Sequence, residues 1–266
     1  MTPFTYHTAS SIADAVAILD AAQAPRMLAG GQTLLPQMRE GRENPSDLVR
    51  IAPLLSREIH KTGGALEIGA GATHREIASS AEVQAAIPAL ATLSAAVGDV
   101  QVRHRGTLGG ALAANDPAGE YPAAALALDA VVTTDRREIL AADLFNGAHR
   151  TTLARSEIIL SLRFASPRLA AYYKTLDPSA RWPMVGVFVA QHADGWRVAA
   201  TGAHCEGAFR HTTMEKAFGA SDSPEAAMEV EVDGSEFRDT YFGDPKYRGH
   251  LICVLASRCM NDLRAS

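Results

Sequence analysis

The sequences AGGQT at residues 29–33 and TLGGA at residues 107–111 decide how this chain is interpreted, because each contains a Gly-Gly pair. Glycine lacks a Cβ and readily adopts positive φ, so successive backbone N–H groups can converge on a phosphate oxygen while threonine hydroxyls add donors. One such pair alone is more typical of a tight turn. Two such segments, each a loop of exposed amides facing the other, predict a site for a pyrophosphate.

A third glycine-containing segment, GAGATH at residues 69–74, begins like the dinucleotide-binding motif GxGxxG. His74 stands where the last glycine of that motif allows close packing of helix against strand. The motif also requires a parallel β-α-β unit and an acidic residue about 20 residues later, which the chain does not clearly supply. We therefore interpret this segment as the end of a strand and expect no dedicated nicotinamide-binding domain.

The composition predicts a folded protein, since 47% of the 266 residues are hydrophobic and 21% are charged. A net charge of −5 without a long Lys/Arg run argues against nucleic-acid binding. The most apolar stretch, residues 85–97, is shorter than the roughly 20 residues of a membrane-spanning helix. The start of the chain lacks a signal-peptide pattern. We therefore expect a cytoplasmic protein with no membrane insertion.

The cysteines and histidines argue against a metal site in this chain. Cys205, Cys253 and Cys259 are odd in number and widely spaced, which fits a reducing compartment. An iron-sulfur cluster usually takes four thiolates, and the nine histidines form no HExxH motif. If the chemistry uses such metals, another chain must hold them.

Up to Pro167, which marks a plausible domain junction, helix-like and strand-like segments alternate. Thr73 and Glu76 have the spacing of a capping box and predict that a helix starts there. Strands are predicted at residues 4–7, 27–29, 48–51, 66–70, 131–133 and 158–164, and helices at residues 12–19, 85–97 and 122–128.

Beyond Pro167 the pattern becomes rich in strands and predicts a separate antiparallel sheet. Asp194-Gly195 is a hairpin-turn sequence between two of these strands. The end of the chain has apolar residues at helical spacing and predicts a helix. The predicted strands span residues 171–175, 184–190 and 196–201.

Several segments taken together resemble the FAD-binding medium subunit of molybdenum hydroxylases. These are the two glycine segments, NDPAGEYP at residues 115–122, and EIILS at residues 157–161 with the later Tyr173-Lys174 pair. The family includes the medium subunit of aerobic carbon monoxide dehydrogenase and the flavin domain of xanthine dehydrogenase. The match runs from near the first residue to the last helix, and it is specific because several motifs keep their order and spacing.

The resemblance implies an α+β fold with a two-subdomain FAD-binding domain of the PCMH type, followed by a C-terminal domain of antiparallel sheet plus helices. The FAD-binding domain would span residues 1–166, with subdomains at about 1–52 and 53–166. The C-terminal domain would span residues 167–266, and FAD would lie in the cleft between the domains.

The resemblance also implies cofactor-binding residues, with no catalytic and no metal-binding residue in this chain. Glu120 would contact the cofactor where the family often has Asp, Leu160 would lie beside the flavin ring, and Lys174 would reach that ring. Trp182 corresponds to an aromatic position near one flavin face. Around the pyrophosphate the family implies Ala29, Gly30, Gly31, Gln32, Thr33, Thr107, Gly109, Gly110 and Ala111. At Ala111 the family usually has Asn or Ser, so one hydrogen bond of about 1 kcal/mol would be missing.

By the same resemblance, the chain would be the electron-transfer subunit of a heteromeric oxidoreductase. A large subunit with molybdenum cofactor would oxidise the substrate, a small subunit with two [2Fe-2S] clusters would conduct electrons, and FAD here would pass them to an external acceptor. Two alternatives remain open. One is a self-sufficient flavin oxidase, and the other is a flavin-free binding or assembly protein of the same fold.

Overall fold

The computed structural model describes residues 2–178 and 182–265, and the chain begins with a small α/β unit. Its three strands form a parallel sheet in the order β1-β3-β2, which confirms the predicted unit. The Ser11 hydroxyl caps the first helix by accepting a hydrogen bond from the backbone N–H of Asp14. The elements are β1 (Thr5–Thr8), α1 (Ile12–Ala21), β2 (Pro25–Leu28), α2 (Leu34–Arg39) and β3 (Asp47–Arg50).

A second unit follows a short 3₁₀ turn at Ala52–Leu54 and contains a five-stranded antiparallel sheet in the order β4-β5-β8-β6-β7. Its elements are β4 (Ile59–Thr62), β5 (Ala65–Gly69), α3 (His74–Ser79), α4 (Ala81–Ala86), α5 (Pro88–Ala96), α6 (Val100–Arg105), α7 (Leu108–Ala114), α8 (Glu120–Ala127), β6 (Val131–Thr134), β7 (Glu138–Leu140), α9 (Ala141–Leu144) and β8 (Ile159–Ala165).

Two sequence predictions about this unit have different outcomes. The capping box is confirmed, because the Thr73 side chain accepts from the Glu76 N–H while the Glu76 side chain accepts from the Thr73 N–H. The single helix expected at residues 85–97 is wrong, because the chain breaks at Ile87 between α4 and α5. Pro88 cannot continue a helix, since it has no N–H, but its fixed φ suits the first position of the next one.

The last unit contains a four-stranded antiparallel sheet in the order β12-β11-β10-β9. The hairpin between the strands at residues 183–192 and 195–201 forms as predicted, but its turn residues are Ala193 and Asp194, because Gly195 already pairs with His192. Its elements are β9 (Leu169–Leu176), β10 (Pro183–His192), β11 (Gly195–Thr201), β12 (Phe209–Arg210), α10 (Thr212–Ala220), α11 (Glu225–Met228) and α12 (Pro245–Ala265).

This last sheet is covered on both faces. Helices α5 and α8 pack on one face and α12 packs on the other. Because side chains alternate along a strand, Tyr172 joins the core shared with the preceding unit, whereas Tyr173 packs towards α12. The arrangement confirms the α+β class. The domain boundary at residues 166 and 167 falls between β8 and β9 and stays a prediction.

Candidate functional site

A cavity of about 910 Å³ runs between the β2–α2 connection, the starts of α7 and α8, and the start of β10. That volume lies towards the upper end of the roughly 300–1,000 Å³ typical of ligand and cofactor sites. Two predicted site residues, Leu160 and Lys174, do not line it. The predicted residues that line it are Ala29, Gly30, Gly31, Gln32, Thr33, Thr107, Gly109, Gly110, Ala111, Glu120 and Trp182.

At one wall of the cavity, the first glycine segment packs against the residues directly before the second. A Cβ on Gly30 would lie 2.0 Å from the Arg105 carbonyl oxygen and 3.0 Å from the Gly106 Cα. No side chain fits there, so glycine at position 30 permits the close approach of the two backbones. Gly31 has φ +74°, the left-handed region that favours glycine. The structure thus places the first segment against Arg105 and Gly106, and both glycine segments line the same cavity.

The first glycine segment presents free backbone donors. Within residues 2–178 and 182–265, no protein atom accepts a hydrogen bond from the N–H groups of residues 30–34. Thr33 occupies the N-cap position of α2 without capping it through its side chain. Unpaired N–H groups at such a turn attract anions, so this wall suits a phosphate group.

The second glycine segment differs from its prediction, because the N–H groups of residues 108–111 are all paired within the protein. It forms the first turn of α7, where Leu108 N–H donates to the Ala72 carbonyl at 2.9 Å and Gly109 N–H to the Ala70 carbonyl at 3.0 Å. Gly110 N–H donates to Thr107 Oγ1 at 3.2 Å. The physical reason is that the β5–α3 connection supplies carbonyl acceptors for Leu108 and Gly109, while Thr107 supplies the acceptors for Gly110 and Ala111.

Glycine nevertheless has a role in the second segment. A Cβ on Gly109 would lie 2.7 Å from the Ala70 Cβ, so glycine lets α7 pack closely on the end of β5. A Cβ on Gly110 would meet only the Thr107 Oγ1 atom, at 2.8 Å. Gly110 and Ala111 line the cavity with small side chains only, so this part of the wall leaves space for a ligand.

Glu120 and Lys174 form a buried ion pair. Lys174 Nζ donates to Glu120 Oε1 and to the Ala96 carbonyl, each at 2.7 Å, and the two side chains are 9% and 8% exposed. Burial raises the pKa of the Glu120 carboxyl, and the Lys174 ammonium opposes that rise. The positive charge expected at the flavin ring is thus balanced within the protein, and only the carboxylate partner lines the cavity.

Of the remaining predicted positions, Trp182 lines the cavity and Leu160 does not. Ile159 lines it, whereas the neighbouring Leu160 packs on the hydrophobic core, as alternation along β8 requires. Trp182 is 49% exposed at the cavity edge, next to Pro183. The roles given to Leu160, Lys174 and Trp182 at the flavin stay predictions.

His74 lines the cavity and was missed as a site residue. It is 4% exposed, its ring stacks on Tyr121 with centroids 5.1 Å apart, and its Nδ1 lies 3.2 Å from the Tyr121 hydroxyl. Burial lowers the pKa of His74 to about 4, and the positive charge of Arg103 contributes, so the ring is neutral at pH 7. Its only sequence signal is its place directly after the Thr73 cap.

Glu157 fixes another part of the wall. Its carboxylate accepts from Arg137 Nε, Thr134 Oγ1 and the Ala154 N–H, each at 2.9 Å. The hydrogen bond from Arg137 is the main cause that lowers the pKa of Glu157 to about 2. Glu157 therefore holds residues 153–155, which line the cavity, in place.

These features define a cofactor-binding protein, and comparisons with known proteins identify its family. Residues 2–167 match the family described as the FAD binding domain in molybdopterin dehydrogenase. The chain belongs to this family and is an oxidoreductase component.

Similar proteins match along nearly the whole chain. The carbon monoxide dehydrogenase medium chain of Hydrogenophaga pseudoflava is 30% identical, with 97% of this chain and 96% of that protein covered. The nicotine 6-hydroxylase medium subunit of Paenarthrobacter nicotinovorans is 32% identical, with 95% and 94% covered. A solved structure of carbon monoxide dehydrogenase from Hydrogenophaga pseudoflava, which lacks the Mo-pyranopterin moiety of the molybdenum cofactor, superposes with a TM-score of 0.88 at 29% identity, over 100% of this chain and 99% of that one.

The lining fits FAD, which joins a diphosphate to a flat ring system. The free amides of residues 30–34 suit the diphosphate, and Gly110 and Ala111 leave room beside it. Apolar residues such as Ile159 and Trp182 suit the ring system.

In the described part of the chain, no group of three or more His, Cys, Asp or Glu side chains could hold a metal ion, and no helix there is long and apolar enough to cross a membrane.

Proposed function

We propose that this chain is the FAD-binding, electron-transfer subunit of a heteromeric molybdenum hydroxylase. The chain would hold FAD on the route of electrons from the [2Fe-2S] clusters of a partner to an external acceptor. The observation that carries the proposal is the row of free amides at residues 30–34 beside a cavity of about 910 Å³, in a chain of an FAD-binding family.

The proposed partners are a large subunit with molybdenum cofactor and a small subunit with two [2Fe-2S] clusters. Support comes from the relatives, which are a medium chain and a medium subunit of larger enzymes, and from the solved carbon monoxide dehydrogenase, which lacks the Mo-pyranopterin moiety of its molybdenum cofactor. The assembly is expected in the cytoplasm, where its cysteines would stay reduced.

The residues of this chain would bind and orient the cofactor. The amides of residues 30–34 would hold the diphosphate, and Gly110 and Ala111 would let it approach the backbone of α7. The Glu120 carboxylate would form part of the cavity wall, with its charge balanced by Lys174 behind it. Trp182 would shield one end of the cavity from water. Bound FAD would supply the electron exchange between the clusters and the acceptor.

The first test is an absorbance spectrum of the purified chain, followed by mass identification of any cofactor released on denaturation. We expect flavin bands and released FAD. A colourless protein that does not take up added FAD would favour the flavin-free binding protein.

A second test distinguishes the proposed electron-transfer subunit from a self-sufficient flavin oxidase. The flavoprotein is isolated from its native host with its partners, and its metal content is measured. Co-isolation of molybdenum and iron-sulfur subunits supports the electron-transfer subunit. A flavoprotein that purifies alone and oxidises a substrate at its own flavin would overturn it.

A further inference from the structure

A buried chain of hydrogen bonds fixes which nitrogen of His74 carries the proton. The Leu90 carbonyl can only accept, so Ser94 Oγ, 2.7 Å away, donates to it. Ser94 Oγ has then used its one hydrogen and accepts from the Tyr121 hydroxyl at 2.9 Å. The Tyr121 oxygen is left to accept from His74 Nδ1 at 3.2 Å. His74 is therefore the tautomer with hydrogen on Nδ1.

The other ring nitrogen, Nε2, is consequently an acceptor without a hydrogen. No atom among the described residues forms a hydrogen bond with it. The buried side-chain atoms without a partner in that part of the chain are Asn115 Oδ1 and Tyr172 Oη. His74 Nε2 is not one of these buried atoms, and His74 is a residue that lines the cavity.

The surroundings of Nε2 keep it neutral and open. A Cβ on Gly106 would lie 2.5 Å from Nε2, so glycine at position 106 leaves this nitrogen uncovered. Burial and the nearby Arg103 charge hold the pKa of His74 near 4, so it stays uncharged at pH 7. A neutral acceptor repels phosphate oxygens, which are also acceptors, and suits a hydroxyl or N–H donor.

We propose that His74 Nε2 accepts a hydrogen bond from a hydroxyl or N–H group of bound FAD, and that Ser94 and Tyr121 hold His74 in the required tautomer. This inference rests on the proposed function, because it needs FAD in the cavity. His74 then selects for a ligand donor, while the amides of residues 30–34 select for the diphosphate.

The decisive measurement is ¹⁵N NMR of histidine side chains, with the His74 signals assigned by their loss in His74→Gln. We expect a protonated Nδ1 and an unprotonated Nε2 in the flavin-free protein, and an Nε2 shift towards a hydrogen-bonded acceptor when FAD is added. A protonated Nε2, or an Nε2 signal that bound FAD leaves unchanged, overturns the inference.

Variants test the consequence for affinity. His74→Leu leaves the ligand donor unpaired and should weaken FAD binding roughly 5- to 150-fold. His74→Gln, which offers an amide oxygen as acceptor, should recover part of that loss. The matched control is His250→Leu on the exposed face of α12, which should bind FAD like the unaltered chain.

Ser94→Ala tests the chain of hydrogen bonds from Ser94 through Tyr121 to His74. Ser94 does not line the cavity, so the substitution removes no direct contact with a ligand there. Tyr121 loses its acceptor and becomes free to donate to Nδ1, so His74 should shift towards the Nε2–H tautomer and FAD should bind about 5-fold more weakly. Unchanged tautomer and affinity would overturn the role of the chain of hydrogen bonds.

The outcomes separate this inference from the proposed function. If the unaltered chain binds FAD and His74→Leu binds it equally well, only the role of His74 fails. If the unaltered chain does not bind FAD, both fail. If His74→Leu does not fold, the NMR experiment on the unaltered chain and on Ser94→Ala decides.

Discussion

The two glycine segments share a Gly-Gly pair and line the same cavity, yet they contribute differently. The backbone N–H groups of residues 30–34 have no protein acceptor within the described chain, whereas those of residues 108–111 all have one. The first segment is thus a binding wall, and the second is a folded turn whose small residues leave space. A dipeptide motif predicts where a backbone can approach a ligand, but not whether its amides are free to bind one.

The largest expected effect is that of Gly30→Ala. The new Cβ would collide with the Arg105 carbonyl, so the segments must separate, which we expect to lower the free energy of unfolding by about 3 kcal/mol and to abolish FAD binding. Urea denaturation and FAD titration measure both effects. The control is Gly219→Ala in α10, where nothing lies within 4 Å and stability should hold or rise. A stable Gly30→Ala protein would contradict the close contact between the segments.

Gly110→Val separates binding from folding. Its side chain would enter the cavity from α7, so FAD affinity should fall at least about 100-fold, or about 2.8 kcal/mol. The free energy of unfolding should change by only about 1 kcal/mol, because the Cβ disturbs only the Thr107 cap. Flavin content after purification and thermal denaturation test this. Undiminished flavin content would refute the assignment of this wall.

The part of the cavity wall that Glu157 holds belongs to neither glycine segment. Its contribution to the free energy of unfolding should depend on pH, which offers a comparison with the two segments. Because the pKa of Glu157 is lowered from 4.5 to about 2 in the folded state, its contribution is present above pH 4.5 and is lost as pH falls towards 2. Since Arg137 is half exposed, we expect a contribution of about 2 kcal/mol. Urea denaturation from pH 7 to pH 2 should show this loss, and Glu157→Gln should remove it. Equal pH profiles of the two proteins would contradict the role of the carboxylate.

The smallest effects come from a matched pair of threonines. Thr107→Val removes the cap on Gly110 N–H and should cost about 1 kcal/mol of stability. Thr33 does not cap α2 through its side chain, so Thr33→Val should leave stability unchanged and weaken FAD binding about 5-fold through loss of a hydroxyl. Thermal denaturation and FAD titration of both variants test the comparison. If Thr33→Val lowered stability and Thr107→Val weakened only FAD binding, the roles given to the two segments would be exchanged.

Much of the fold was predictable because its signals are local. The Thr73–Glu76 capping box and the hairpin at Asp194-Gly195 depend on residues three or fewer positions apart. The capping box is confirmed, and the hairpin forms with its turn one residue earlier than predicted, at Ala193 and Asp194. The break at Pro88 was missed because apolar residues on both sides of it favour one buried helix. Most of the predicted site residues line one cavity. They could be predicted because the family resemblance assigns them by the order and spacing of several sequence segments.

The sequence by itself determined the α+β class, the family and the two glycine segments that meet at the cavity. Only the tertiary structure decided which amides stay free, because the acceptors for Leu108 and Gly109 are Ala72 and Ala70, in a different connection of the chain. It also decided that Lys174 pairs with Glu120, 54 positions earlier, and that His74 and Ser94 join through Tyr121. The physical reason is that hydrogen bonds and ion pairs between distant segments depend on how the chain packs and leave no periodic pattern in the sequence.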